Sequence, residues 1–538
     1  MGANPHHYSK DASVVYRAYK HRDLEGLRRI DGDFAAAIWD EEKHEMHCIR
    51  DHFGQQPLFY FHNEHVFLYA SSITLLTAHP AVYRKPNLQA LASLSTDPNN
   101  NASKERTFFD GIKSVLPASV LTVSAKGIKQ RSYWSPSEII PEHSLSEEEH
   151  LSEIANRFTK TVASRIPERT PAFALLSGGL DSSAVVATAA KYLEQHNRKL
   201  RTLSAVKENP LATGLQEEES YIHCFSSNAN IDMRLVRSAD RGPFDNIESM
   251  MQNSSEPIVS SRHYLYSAFA EEISQAGGYT VLDGRFGELG PTANGTGIML
   301  EWLLKGNWTT FWQELRATAS VRNTTLWQVA RTHILRVLLT QKMQPNTSAT
   351  NQLLNEQFVK THVDTNGPQA EKLKVNLRDH RAIQLQYLNN AQKTSRIVGF
   401  DGFKKIQIAL PFLDRRLLEL CVSAPASLKQ HQGYNRYTVR AMLKNVLPEP
   451  IRLRTSKAPF SVDYNMRYTR QHKLALDYVS NIGSKDPVRA VVNVSLLEKW
   501  LNGTTMNNTG STHNSQALHF VPSAIYTIAF LRQFSEFR

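Results

Sequence analysis

The segment Leu175-Leu176-Ser177-Gly178-Gly179-Leu180-Asp181-Ser182-Ser183 constrains this chain more than any other. It follows the apolar stretch Phe173 to Leu176 and opens the helix-prone run Ala184-Val185-Val186-Ala187-Thr188-Ala189-Ala190. A strand, a glycine turn and a helix start gather several free backbone N–H groups around one small volume. The positive end of the helix dipole adds to their pull on polyphosphate. Gly178 and Gly179 let the backbone approach a ligand without a Cβ in the way. Ser177, Ser182 and Ser183 add hydroxyl donors, and Asp181 can hold Mg2+ against phosphates. An ordinary strand-to-helix turn rich in Gly and Ser is the bland alternative. The full SGGxDSS pattern after an apolar strand favours a loop that binds ATP.

The 538 residues suffice for two or three domains. A hydrophobic share of 41% with 21% charged residues fits a globular protein. No apolar run approaches the roughly 20 residues of a membrane span. Met1 to His7 lacks the apolar core of a signal peptide. Cys48, Cys224 and Cys421 form no CxxC pair, which argues against a disulfide framework or zinc site and suits a reducing cytoplasm. The net charge of +11 is spread along the chain without a basic arm, so it gives little support to a nucleic-acid partner.

Residues 1–134 read as strand-rich, with candidate strands at 35–39, 46–49, 58–61, 66–70 and 119–123. A Pro, Ser and Glu-rich stretch makes 135–150 a linker, closed by a capping box of Ser146 with Glu149. Residues 151–538 form the second domain. There, strands expected at 172–176, 201–206, 232–237 and 279–283 alternate with helices near 183–194, 217–227 and 261–276. That alternation predicts an α/β fold with a parallel sheet wound on both faces and ligands at the strands' carboxyl ends. Residues 297–345 and 369–400 read as helical additions, with Trp302, Trp308, Trp312 and Trp327 expected in the core. The polar tract 502–515 reads as a loop.

Four further segments resemble one family. With the phosphate loop, Pro411-Phe412-Leu413-Asp414-Arg415-Arg416 and Arg454-Thr455-Ser456-Lys457-Ala458-Pro459-Phe460 look like the synthetase domain of the asparagine synthetase family. Asp31-Gly32-Asp33-Phe34-Ala35-Ala36-Ala37-Ile38-Trp39-Asp40 and Arg50-Asp51-His52-Phe53-Gly54-Gln55-Gln56-Pro57-Leu58 resemble its glutaminase domain. The likeness runs from about residue 11 to residue 470. It implies a partial αββα, Ntn glutaminase-like domain before an adenine nucleotide α-hydrolase-like ATP pyrophosphatase domain.

By that likeness Leu176, Ser177, Gly178, Gly179, Asp181, Ser182 and Ser183 match the pyrophosphate loop. Ala205 falls where the second strand lines the adenine pocket, and Asp283 with Gly284 falls where a Ser-Gly pair does. Lys457 matches a lysine that contacts phosphate, and Arg436 occupies a basic position in Tyr434-Asn435-Arg436-Tyr437. Asp181 and Glu288 are the candidate Mg2+ ligands. Asp414 reads as a cap or ion-pair partner at the domain junction, not a substrate contact.

Two departures narrow the likeness. The family's glutaminase uses an N-terminal cysteine, whereas residue 2 is Gly and the chain enters the pattern near Asp11. A degenerate remnant and a start codon placed too far downstream both account for this, and no glutaminase activity is expected of the chain as given. The family's acidic SGEGSDE-like stretch is replaced by Asp283-Gly284-Arg285-Phe286-Gly287-Glu288, where Arg285 brings positive charge. These departures resemble β-lactam synthetases and, more closely, lasso peptide cyclases. Such enzymes adenylate a carboxylate and let an amine of the same molecule attack. The implied partners are a precursor peptide presenting Asp or Glu and a companion peptidase, with no membrane. The rival readings are asparagine synthetase itself, an RNA-modifying ATP pyrophosphatase and a non-catalytic scaffold.

Overall fold

The computed structural model describes residues 10–95, 105–141, 144–209, 219–252, 254–257, 260–338, 353–363, 379–394, 406–456, 461, 463–503 and 512–537. The first described element is α1 (Lys10–Arg28), two helical stretches joined by a kink at Asp23, whose φ 47°, ψ −130° is not helical. Seven strands follow: β1 (Ala35–Asp40), β2 (Glu45–Arg50), β3 (Phe59–His62), β4 (Phe67–Ala70), β5 (Ile112–Ser114), β6 (Ser119–Ser124) and β7 (Gly127–Ser132). They make two antiparallel sheets, ordered β1-β2-β6-β7 and β4-β3-β5. Cys48 and Leu121 of the first sheet pack with Tyr60 of the second, beside Leu58 and Val115, to form the layer between them. The five strands expected from sequence are all present. β5, β7 and α1 are additions that composition did not reveal, because their residues alternate too weakly to register.

Helix α2 (Glu147–Ser164) begins at the expected capping box. Ser146 Oγ accepts from Glu149 N at 3.3 Å, and the Glu149 carboxylate accepts from Ser146 N at 2.7 Å. The stretch before it is not an open tether. Trp134, Pro136 and Ile139 are buried, and Trp134 Nε1 donates to Glu419 at 2.9 Å.

The second half carries β8 (Ala172–Leu175), α3 (Leu180–Glu194), β9 (Leu200–Ala205), β10 (Ile231–Val236), α4 (His263–Gln275), β11 (Thr280–Leu282) and a further strand, β12 (Gln407–Ala409). All pair in parallel, in the spatial order β10-β9-β8-β11-β12. β8 is buried at all four positions and α3 over the whole run Leu180 to Ala190 apart from Asp181, as a central strand and a core helix require. The order places consecutive strands β8 and β9 side by side, then returns the chain to the other edge of β8 for β11. The progression reverses between β8 and β11, the switch point at whose carboxyl ends ligands of such sheets bind.

Helical additions follow: α5 (Ile298–Leu304), α6 (Trp308–Val321) and α7 (His380–Thr394). Of the four tryptophans expected in the core, Trp302 is buried, while Trp308, Trp312 and Trp327 are 57%, 49% and 65% exposed. The face α6 buries is Phe311, Leu315 and Ala319, spaced four apart; Trp308 and Trp312 share a different stripe. Residues 504–511 of the tract read as a loop lie outside the described residues. From Thr512 to Leu531 the chain forms a C-terminal helix.

The two halves are bonded extensively. Val15, Ile49, Phe53 and Trp134 share a buried cluster with Leu388, Leu413 and Leu418. Phe109 packs against Phe530 and Phe534 with ring centroids at 5.8 and 5.3 Å. An ionic layer runs through the same junction. Arg157 donates twice to Asp414, at 2.8 and 2.7 Å, and lies 3.2 Å from Asp31. Arg165 binds Asp33 at 2.8 Å. Asp414 also accepts from Leu417 N at 3.0 Å, capping α8 (Arg415–Ser423), so it is the cap and ion-pair partner expected. Burial alone would raise the Asp414 carboxyl, but Arg157 and the Leu417 amide hold it below the usual carboxylate value.

Arg157→Ala would leave Asp414 charged, buried and without its bidentate partner. We expect it to lower unfolding stability by about 3 kcal/mol or more. Urea denaturation followed by tryptophan fluorescence measures this, and a loss under about 1 kcal/mol would contradict the junction's importance.

Candidate active site

The loop after β8 is held by its own side chains. Leu176 N donates to Leu203 O of β9 at 2.9 Å, completing the strand pairing. Gly178 then turns at φ +71°, a left-handed conformation that a Cβ would strain. Ser177 N donates to Ser182 Oγ at 3.1 Å, and the two hydroxyls lie 3.0 Å apart. Gly179 is the N-cap of α3 and no side chain caps it. The first-turn N–H groups of α3 therefore point out of the helix with no intrahelical acceptor, as a phosphate cradle requires. Ser183 sits elsewhere: it is fully buried, its hydroxyl without a hydrogen-bond partner, so it faces the protein interior.

The loop after β11 closes on this one. A Cβ on Gly284 would come 2.6 Å from Ser182 N and 2.7 Å from Ser182 Cα, so only glycine permits the observed approach. A Cβ on Gly287 would come 2.5 Å from Asp181 Oδ1. Thr292, in the same loop, donates its hydroxyl to Asp181 Oδ1. Arg436, itself left-handed at φ 55°, places Nη1 3.7 Å from Asp181 Oδ2. Glu288 follows Gly287 directly and is exposed. The two candidate metal ligands thus sit on touching loops. Ala205 ends β9 and is partly buried.

Arg285 does not stand as a loose positive charge. Its Nε donates to Asp283 Oδ2 at 2.7 Å and its backbone N to Asp283 Oδ1 at 2.9 Å. Asp283 is 5% exposed, and pairing lowers the cost of holding its carboxylate there. The expectation of added positive charge is corrected accordingly: the pair adds none.

Lys457 lies outside the described residues. The chain leading to it is firmly placed. Arg440, 3% exposed, donates to Asn435 O at 2.9 Å, Arg454 O at 2.8 Å and Arg452 O. Burial first, then the neighbouring Arg436 charge, pulls the Arg440 guanidinium down to about 10. Arg454 in turn donates to Gly178 O at 3.0 Å and stacks over Tyr221 at 3.9 Å. Sequence reasoning had not named Thr292, Arg440 or Arg454 as site residues. Arg454 opens the motif that contains Lys457, so its signal was present; Thr292 sits in no motif.

A polyphosphate cradle at the switch point of a parallel sheet defines a doubly wound nucleotide-binding enzyme. Known proteins narrow that class. Residues 153–523 match the family model described as asparagine synthase, and residues 3–134 match that of a glutamine amidotransferase domain. Asparagine synthetase (glutamine-hydrolyzing) 3 of Bacillus subtilis is 24% identical over 87% of this chain and 74% of its own length. Asparagine synthetase (glutamine-hydrolyzing) 2 of the same organism is 26% identical over 41% of this chain and 30% of its own length. Amidase chyE of Penicillium rubens is 25% identical over 51% of this chain and 42% of its own length. The chain belongs to the asparagine synthase family, and is an ATP-dependent, amide-forming ligase.

Gly284→Ala forces backbone atoms of the two loops apart. We expect it to weaken magnesium–ATP binding at least tenfold by titration calorimetry. Gly483→Ala, at a position where a Cβ meets open space, should change nothing. Equal affinity for both variants would show that the loop contact is irrelevant to the nucleotide.

Proposed function

We propose that this ligase adenylates a carboxylate and passes the acyl group to an amine of the same molecule, closing the macrolactam of a lasso-type peptide. The observation that carries the reading is the meeting of the β8 and β11 loops around Asp181, where α3's open N-terminus, Arg436 and Arg454 surround one small volume. A carboxylate oxygen attacks the ATP α-phosphorus and pyrophosphate leaves. The amine then attacks the acyl carbon, AMP departs and the amine gives up a proton. Both steps bring anions together, and the α3 amides with the two arginines offset that repulsion. Lys457 would steady pyrophosphate and the tetrahedral oxyanion.

Asp181 and Glu288 are the residues that would hold Mg2+. Asp181 suits this role, because its carboxylate accepts one hydroxyl and lies 3.7 Å from Arg436 without a close bidentate salt bridge. The ion would supply charge neutralisation on the phosphates. A peptide α-amine, with a reference pKa near 7.7–8.0, is substantially neutral at physiological pH and can attack without ammonia. The partners proposed are therefore a precursor peptide and a companion peptidase. Among the described residues no helix is long and apolar enough to cross a membrane, and the three described cysteines are free, which suits a reducing cytoplasm.

Asparagine synthetase is the second reading, favoured by the named relative that aligns over 87% of the chain. Products separate the two. Incubation with ATP and a precursor peptide encoded beside this chain's own gene should give AMP and a product lighter by one water in mass spectrometry. Asparagine formed from aspartate and ammonia at a comparable rate would favour the second reading. In either case Asp181→Ala should abolish ATP–pyrophosphate exchange, and Lys457→Ala should lower it at least a hundredfold while leaving the denaturation midpoint unchanged. Near-normal exchange in either variant would remove that residue from the mechanism.

A further inference from the structure

The helices after β11 turn a second apolar surface outward. α5, α6 and the short helix Leu326–Ala330 share one small core, which includes Ile298, Trp302, Phe311, Leu315 and Val329. Trp308, Trp312 and Arg316 follow one another at four-residue steps along α6, and all three are exposed. Trp327, Arg331 and Leu335 repeat that spacing on the next helix and the π-helical turn that continues it, and they are exposed too. Leu304, at the end of α5, and Leu326 are 55% and 42% exposed. Residues four apart on a helix are neighbours, so each stripe is a continuous strip of surface beside the shared core. Scattered apolar side chains need no explanation, but tryptophan and leucine gathered on one small helical unit mark a contact site.

The charge on this surface is of one sign. From Trp302 to Leu338 the chain has five basic residues, Lys305, Arg316, Arg322, Arg331 and Arg336, and all are exposed. The one acidic residue there, Glu314, is buried and accepts from Gln432 N and Gly433 N at 2.7 and 3.0 Å. Lys305 is paired with Glu301 at 2.6 Å. Arg316, Arg322 and Arg331 have no ion-pair partner among the described residues. A symmetric dimer through this face would set these cations against their own copies, and the net charge of +11 adds to the repulsion.

We propose that this surface docks the protein on a membrane rich in anionic lipid, lying on the bilayer without crossing it. The match is in layers. A bilayer carries negative charge directly above hydrocarbon, and here arginines stand beside tryptophan and leucine along the same strips. Indole rings settle at the boundary between those layers, while long arginine side chains reach from apolar surface up to the phosphates. Each cation near such a surface raises partition about fivefold. Single-stranded nucleic acid would stack on the tryptophans but give the leucines no cover. An acidic protein would need a carboxylate fixed opposite each arginine, whereas a fluid lipid surface supplies negative charge in any register. The sequence expectation of no membrane rested on the lack of a spanning segment, and a surface contact needs none. None of these residues belongs to the nucleotide site, so docking is independent of the ligase reading.

The test mixes the full chain with vesicles of phosphatidylcholine alone, or of equal parts phosphatidylcholine and phosphatidylserine, and separates bound protein by flotation. Partition onto the anionic vesicles should exceed that onto neutral ones at least tenfold and fall as salt rises. Two double variants, Trp308→Ser with Trp312→Ser and Leu326→Ser with Trp327→Ser, should each lower it at least tenfold with an unchanged thermal midpoint. Arg316→Glu with Arg331→Glu should do the same, and this pair decides alone if the serine variants melt lower. Equal partition onto both vesicles, none onto either, or parent-like partition of a well-folded variant pair would overturn the assignment. Capture by polyglutamate or single-stranded RNA without any vesicle binding would overturn it in favour of that partner.

Discussion

Everything at this site depends on how β8 and β11 pair. They are adjacent, parallel and buried, and the loops that follow them meet above the shared edge through Gly284, Gly287 and Thr292. Their junction has the open N-terminus of α3 on one side and a glycine-rich turn on the other. The contact between Gly284 and Ser182 sets its width, and no side chain larger than hydrogen fits there. A parallel sheet with a different strand order would keep the same loop sequence but close the space that a nucleotide needs.

Charge around the site is arranged by pairing as much as by sign. Arg285 pairs with Asp283, Arg157 with Asp31 and Asp414, and Arg436 with Asp181, while Arg454 donates to the phosphate loop at Gly178 O. Arg454 binds the loop's own backbone at Gly178 O and so positions the cradle. Arg440 plays the corresponding role one layer back by fixing three carbonyls, two of them at 452 and 454. Arg454 therefore fixes the chain beside the loop at the last described turn before residue 457.

Much of this was legible in the residues. SGGLDSS after an apolar strand marks β8, the turn and α3, because strand, glycine and helix start each leave a local signal. The alternation of apolar runs located β9, β10 and β11 to within a residue or two. β12 was not legible: Gln407-Ile408-Ala409 is too short to show a period, and only its pairing with β11 defines it. The outward tryptophans of α6 were missed because their i, i+4 spacing equals that of a buried stripe, and Phe311, Leu315 and Ala319 took the inner face. Thr292 joins the site through a contact across more than a hundred residues, which no local pattern encodes.

The central claim is that ATP docks where β8 passes into α3. Hydrogen exchange at backbone amides reports that contact directly, since a bound phosphate protects the N–H groups it accepts from. With magnesium and ATP, the amides of residues 178–182 should slow markedly, with little change in β1 to β7. Protection confined to other segments, or none at saturating nucleotide, would contradict the account.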